Sequence, residues 1–456
     1  MPPTQDQFLI SKYGLSNLFW ESTSRFQNDD KHLSDLAKST FQYRYPFLDT
    51  IKNPGVYILY GGRQVGKTTA LKQFICESLK NKSVTSPQTF YLPCDNILDR
   101  AELDLILRKF FSVASINENN IIVIDEITFI KDWQLTIKGL IDQGYFQKSF
   151  LLITGSDKII LEDASAGFPG VNRRGAGSNI IVNPLSFAKM ATLVSVECDS
   201  LSHEKKYNLF LNYLKCGGYL PAINELFGTA KEISDNTYLV YEQWIVSDIV
   251  RKGKNKNKLL DLLRVLITTY ASQISYNRIA QHSQNLSVDT IIDYINHLER
   301  LGVLVVLSAF NQNSLSAFPK KDKKIYARDP FLIHVIAKIL RQAGMISAKE
   351  AIISESALVE TAVLSSYAEH AKPLYYIKAE GEVDFVVVKD GSFQAVEVKW
   401  TKNLRPQDLK QITKYPQNGL ILSKQINAGS WQGITTENLV EYLINDRSSY
   451  ESVPQP

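Results

Sequence analysis

The sequence predicts an α/β protein whose first domain is a parallel sheet, followed by a winged-helix module and a small second α/β domain. Three observations predict it. Gly61–Thr69 (GGRQVGKTT) fills the pattern G-x-x-x-x-G-K-[ST] between an apolar strand and a helix. Ile121–Glu126 (IIVIDE) is an apolar strand that ends in two acids. Asp390-Gly391 joins two apolar segments that carry further acids and a lysine.

The chain has 456 residues, enough for about two to four domains. With 44% hydrophobic and 21% charged residues it is an ordinary globular composition, which excludes fibrous and disordered classes. A net charge of +4 permits nucleic-acid contact without arguing for it. Cys76, Cys94, Cys198 and Cys216 form no C-x-x-C pair, so neither a zinc site nor a disulfide framework is expected. The first residues lack the basic and apolar regions of a signal peptide, and no apolar run is long enough to span a bilayer. A cytoplasmic protein without membrane contact is expected.

Residues 1–50 read as a polar and aromatic helical segment ending near Pro46, with no chemistry assigned. A nucleotide-binding domain is expected over 51–190. Val56–Tyr60 feeds the loop as a buried strand, and Thr68–Lys80 follows as the helix whose positive N-terminus faces a phosphate. Within the loop, the backbone N–H groups of Gly61, Gly62, Arg63, Gln64, Val65 and Gly66, with Thr69 at the helix start, would cradle the phosphates of ATP. Lys67 would reach the β- and γ-phosphates and Thr68 would hold Mg²⁺. Asp125 would be the second protein ligand of that ion, and Glu126 would orient and polarise the attacking water. The plainer reading of Asp125 and Glu126, a helix N-cap, leaves the upstream loop unexplained.

A strand at Thr89–Leu92 lies between the loop strand and the acidic strand, and the catalytic Glu follows the Asp directly. Both features resemble the AAA+ and related division of P-loop ATPases. By that resemblance, Ser156 or Thr154, at the end of Phe150–Ser156, would be the polar sensor of the γ-phosphate. Arg173 and Arg174, in a Gly-rich segment, would supply an arginine finger in cis or from a second copy; an exposed arginine pair more often only meets solvent. GGRQVGKTT, IIVIDEI, Trp133, LLITGS, Asn183–Phe187 (NPLSF) and Cys216–Pro221 (CGGYLP) together resemble the prokaryotic AAA-type ATP-binding proteins that carry a C-terminal domain of unknown function.

A helical linker is expected over 191–258, ending in the basic run Arg251–Lys258. Over 259–330, three helices (Leu259–Ser272, Ser275–His282, Ser287–Leu301) and two strands (Val303–Leu307, Lys324–Arg328) spell a winged helix. Lys320, Lys321, Lys323 and Lys324 in the wing loop would contact a nucleic-acid backbone, whereas Asp289, Asp293 and Glu299 on the third helix would repel one. That helix suits docking to a protein at least as well as reading DNA.

Over 331–456 a second α/β domain is expected. If the turn pairs Lys389 with Ser392, Asp384 falls opposite Glu397 and Glu382 opposite Lys399. Facing carboxylates destabilise a sheet unless a cation neutralises them, and a second Mg²⁺ or Mn²⁺ would do so. The pattern resembles the PD-(D/E)xK nuclease fold, a restriction-endonuclease-like arrangement, with Glu360 as the helix acid, Asp384 as the central acid and Glu397-Val398-Lys399 as the ExK element. Val383 stands where that pattern has proline. The resemblance implies Glu360, Asp384 and Glu397 as metal ligands and Asp384, Glu397 and Lys399 as catalytic residues acting on DNA or RNA.

The function expected is therefore ATP binding and hydrolysis, with the nucleotide state coupled to a nuclease-like domain that acts on or binds nucleic acid. The alternative is a nucleotide-dependent protein-interaction switch on a catalytically silent nuclease-like scaffold. Homo-oligomerisation fits either.

Overall fold

The computed structural model describes residues 7–155, 178–195, 200–369, 374–379, 381–389, 391–425 and 428–446. The chain divides into two compact units, Met1–Asn183 and Pro184–Pro456. Among the described residues, no helix is long and apolar enough to cross a membrane.

The first unit is built on a parallel sheet of β1 (Gly55–Tyr60), β2 (Thr89–Pro93), β3 (Asn120–Asp125), β4 (Ser149–Gly155) and β5 (Ser178–Ile181), in the order β2-β3-β4-β1-β5. Strands β1 and β3 are buried along their whole length, as a sheet covered on both faces requires. Each fully buried Ile or Val of β3 contributes about 2 kcal/mol of apolar burial. The helices α4 (Lys67–Lys80), α5 (Arg100–Val113) and α6 (Trp133–Asp142) connect successive strands. Helix α5 buries Leu103, Ile106, Leu107 and Phe110, the stripe its periodicity predicts.

The segment before β1 belongs to this unit. It holds α1 (Gln7–Tyr13), α2 (Thr23–Asp29) and α3 (Lys31–Lys38). Its polar atoms occupy the free edge of β2. Trp20 Nε1 donates to Thr89 O at 3.0 Å, Asn17 Nδ2 donates to Tyr91 O at 2.9 Å, and Tyr91 N donates to Asn17 Oδ1 at 2.7 Å. An edge that would otherwise offer unpaired backbone groups is thereby closed by side chains.

The second unit opens with helices at Phe187–Val194, His203–Cys216, Leu220–Phe227 and Asp235–Arg251. Three more, Lys256–Thr268, Tyr276–His282 and Val288–Arg300, lead into the antiparallel pair β7 (Leu304–Asn311) and β8 (Ser316–Ala327), with the short strand β6 (Gln273–Ile274) against β8. The three helices fall where the sequence expects them, and Asp289, Asp293 and Glu299 are exposed. The wing differs. Lys323 and Lys324 lie inside β8 and are buried, Lys324 to 1% exposure, so neither is free to meet a nucleic-acid backbone. The turn lies at residues 312–315, and β8 begins at Ser316, eight residues before the expected start at Lys324.

The same sheet continues into the C-terminal strands β9 (Leu374–Lys378), β10 (Glu382–Lys389), β11 (Ser392–Lys399), β12 (Gly419–Ser423), β13 (Gly429–Trp431) and β14 (Ile434–Asn438). Its order is β13-β14-β12-β11-β10-β9-β7-β8-β6 among the described residues. The joint is the parallel pairing of β7 with β9 at Ser308 with Tyr375 and Ala309 with Tyr376. The β10–β11 hairpin has the expected register, Lys389 with Ser392 through Phe385 with Val396.

Candidate functional site

In the first unit the loop between β1 and α4 closes on itself. Gly61 passes so near β5 that a Cβ there would lie 2.0 Å from the Val182 carbonyl oxygen. Gly66 has φ +93°, a left-handed conformation that favours glycine, and hands the chain to α4 at Lys67. Tyr45, from the preceding segment, donates its hydroxyl to Val65 O and packs beside Gly66. Arg63 lies over the Phe129 ring, and Gln64 is exposed with φ +62°.

Lys67 is buried, and its ammonium donates to the Gly61 and Gly62 carbonyls, each at 2.9 Å, with Glu126 Oε1 3.7 Å away. Those carbonyls hold the ammonium over the loop that an anion would fill. Thr68 Oγ1 donates to Asp125 Oδ2 at 2.7 Å, so the hydroxyl and the carboxylate expected to share a metal ion already touch. Thr69 lies in the first turn of α4. A hydroxyl and a carboxylate at this spacing are a hard-oxygen pair that fits Mg²⁺.

Asp125 is held from two further sides. Tyr91 OH donates to Oδ2 at 2.6 Å, and Thr154 Oγ1 donates to Oδ1. Burial, with Asp125 beside it, pushes the Tyr91 phenol well above its ordinary value, so it stays a donor. Thr154 also accepts from Glu126 N at 2.9 Å. Thr154, expected as a sensor, is fully buried between the two acids and orders both of them. Glu126 itself has φ +55°, in the left-handed region that few non-glycine residues adopt. Ser156, Arg173 and Arg174 lie outside the described residues.

In the second unit the C-terminal acids do converge, but on a lysine. Lys324 Nζ lies 2.5 Å from Glu382 Oε1, 3.1 Å from Asp384 Oδ1 and 3.7 Å from Glu360 Oε2. Burial would lower that ammonium; Asp384, Glu360 and Glu382 outweigh it and raise it well above its ordinary value. Tyr326 OH donates to Glu360 Oε2 at 2.7 Å, and Gln273 donates to Glu382. The expected partnership of Glu382 with Lys399 does not form: the β10–β11 ladder ends at Phe385 with Val396, and the Glu382 carboxylate meets Lys324. Asp384 Oδ2 accepts from Val398 N at 3.0 Å.

Lys399 Nζ binds Glu397 Oε1 at 2.6 Å, while the buried Glu397 Oε2 has no hydrogen-bond partner among the described residues. Burial, then the charge of Asp384, push the Glu397 carboxyl up to about 8 and that of Glu360 up to about 7. In this arrangement the oxygens of Asp384 are taken by Lys324 and Val398 N, and Lys324 supplies positive charge of the kind a second divalent ion would bring. Among the described residues, no group of three or more His, Cys, Asp or Glu side chains is arranged to hold a metal ion.

Comparison with known proteins matches three stretches of the chain. Residues 53–191 match the AAA domain family, 208–343 a domain of unknown function (DUF8612), and 355–435 another (DUF4143). An uncharacterised protein of Methanocaldococcus jannaschii is 24% identical over 297 residues, which span 59% of this chain and 59% of that protein. Among solved structures, the Aeropyrum pernix ORC1 protein in complex with DNA is 13% identical, with a TM-score of 0.36, over 70% of this chain and 94% of its own. AMPPCP-bound DnaA from Aquifex aeolicus is 14% identical, with a TM-score of 0.29, over 65% of this chain and 90% of its own. Residues 53–191 are thus similar to the AAA domain family, and the first unit has a P-loop NTPase α/β fold.

Proposed function

We propose that the protein binds and hydrolyses ATP in its first unit and uses the nucleotide state to control its second. The observation that carries the reading is the contact of Thr68 with Asp125 beneath a loop whose lysine rests on its own carbonyls. Phosphate groups entering the loop would draw the Lys67 ammonium from Gly61 O and Gly62 O, and the loop N–H groups of residues 61–66 would bind their oxygens. Thr68 and Asp125 would hold Mg²⁺, which when bound neutralises charge on the phosphates. Glu126, ordered by Thr154 through its backbone N–H, would orient the attacking water. Arg173 or Arg174 would add positive charge at the transition state, from this chain or from a second copy in a homo-oligomer. Lys67→Ala is expected to abolish ATP binding and turnover together; turnover that survives it would remove the assignment.

For the second unit, one reading is a nuclease-like domain in which Asp384, Glu397 and Lys399, with Glu360 as a further ligand, act with Mg²⁺ or Mn²⁺ on DNA or RNA. The other is a nucleotide-dependent switch for a protein partner on a catalytically silent nuclease-like scaffold. Lys324 favours the second, because a buried ammonium already neutralises the acids that a metal would bridge. Calorimetric titration of the full chain with Mn²⁺ separates them. The scaffold reading expects no site that Asp384→Ala removes, and the nuclease reading expects one, together with cleavage of DNA or RNA lost in the same variant.

A further inference from the structure

Besides Tyr45 at the phosphate loop, the segment before β1 has contacts that converge on one residue of the acidic site. Tyr91 stands on the edge strand β2, where the parallel register pairs Pro93 with Asp125 and Tyr91 with Val123. Two residues back on the neighbouring strand, its long side chain reaches Asp125 diagonally and donates to Oδ2. That oxygen also receives the Thr68 hydroxyl. When Thr68 turns to a metal ion, Tyr91 and Thr154 are the donors left to fix the carboxylate.

Tyr91 is in turn fixed from outside the sheet. Asn17, fully buried, bonds both its N–H and its carbonyl. The Lys72 ammonium lies 4.7 Å from the centre of its ring and is anchored by Asp30 Oδ2 at 2.6 Å. Asp30 belongs to the same segment, where its other oxygen caps α3 through His32 N and Leu33 N. A phenylalanine would fill the same space, and a buried hydroxyl costs free energy unless it is bonded. The hydroxyl is therefore present for its bond to Asp125.

We propose that Tyr91 is a positioning residue for Asp125, and that Asn17 and Asp30 of the preceding segment hold it so that Asp125 is set for Mg²⁺. The proposal rests on the ATP·Mg²⁺ reading of the loop. Loss of the Asn17 and Asp30 contacts would then weaken metal uptake through Tyr91, while the contact of Tyr45 with the phosphate loop stays in place.

The test uses the full chain and a fluorescent ATP analogue, titrated with Mg²⁺ and, separately, in EDTA. Tyr91→Phe is expected to raise the Mg²⁺ needed for half-maximal effect about tenfold, as loss of a hydrogen bond to a charged group implies, with binding in EDTA unchanged. Asn17→Ala is expected to raise it in the same direction, and to add nothing in the Tyr91→Phe background, because both act through one side chain. If Asn17→Ala does not fold, Asp30→Asn, which keeps the cap on α3, takes its place in the cycle. A Mg²⁺ requirement in Tyr91→Phe equal to that of the wild type, or effects that multiply in the double variant, would overturn the proposal alone. Absence of Mg²⁺-dependent nucleotide binding in the wild type would overturn both it and the ATP reading.

Discussion

Glu126→Gln is expected to lower ATP turnover by about 10²- to 10³-fold while leaving ATP bound, the scale of losing a general base. The substitution isolates charge from shape. Glutamine has the same length, and its backbone would carry the same left-handed conformation at φ +55°, so no strain is added or relieved. The bond from Glu126 N to Thr154 Oγ1 is a main-chain contact and survives. Lys67 loses a charge 3.7 Å away but keeps the Gly61 and Gly62 carbonyls until phosphate arrives. Binding, which depends on the loop and Lys67, is therefore spared, and what disappears is the carboxylate that polarises water. Single-turnover measurement with radiolabelled ATP checks it: ATP should remain bound and uncleaved. A turnover rate equal to that of the wild type would assign the water-orienting role elsewhere.

The parts of this site that were legible in the sequence are those set by short spacing. Gly61 to Thr69 and Asp125-Glu126 each lie within one strand and its following turn, so motif and geometry coincide. The register expected for Lys389 with Ser392 likewise holds as far as Phe385 with Val396. What was not legible depends on pairing across long separations. Tyr91 reads as one more apolar residue of a buried strand, and only the β2–β3 register brings its hydroxyl to Asp125. Asn17 reads as one polar residue of a helical segment until the β2 edge is seen to need a donor and an acceptor. Lys324 sits in a run of lysines that the sequence assigns to a wing loop contacting a nucleic-acid backbone. Strand alternation could have hinted that lysines of such a run point to opposite faces, but the acids that receive Lys324 come from 360 to 384 and only the folded sheet brings them there.

Lys324→Met is expected to destabilise the second unit by about 3–5 kcal/mol at pH 8, the scale of removing one partner from a buried charge cluster. Methionine fills much of the same length, so the loss reports charge more than volume. The cluster also sets how stability moves with pH. The carboxyls of Glu360 and Glu397 are pushed up to about 7 and about 8, above the ordinary glutamate value. An acid raised in the folded state binds its proton more tightly there than in the unfolded chain. Its stabilising contribution is present at low pH and is lost as pH climbs from the ordinary glutamate value through 7 and 8. Without Lys324 the acids lose a counter-ion and rise further, so the variant should lose stability more steeply than the wild type between about pH 5 and 8. Thermal unfolding of the full chain at several pH values reads this as a widening gap in the transition of the second unit. Mn²⁺ then decides what the cluster is. If Lys324 stands where a cation belongs, Mn²⁺ should restore the Lys324→Met variant and leave the wild type unchanged, because a ligand stabilises only the form that binds it. Stabilisation of the wild type by Mn²⁺ would mean that the ammonium yields to the metal, and would return the second unit to the nuclease reading.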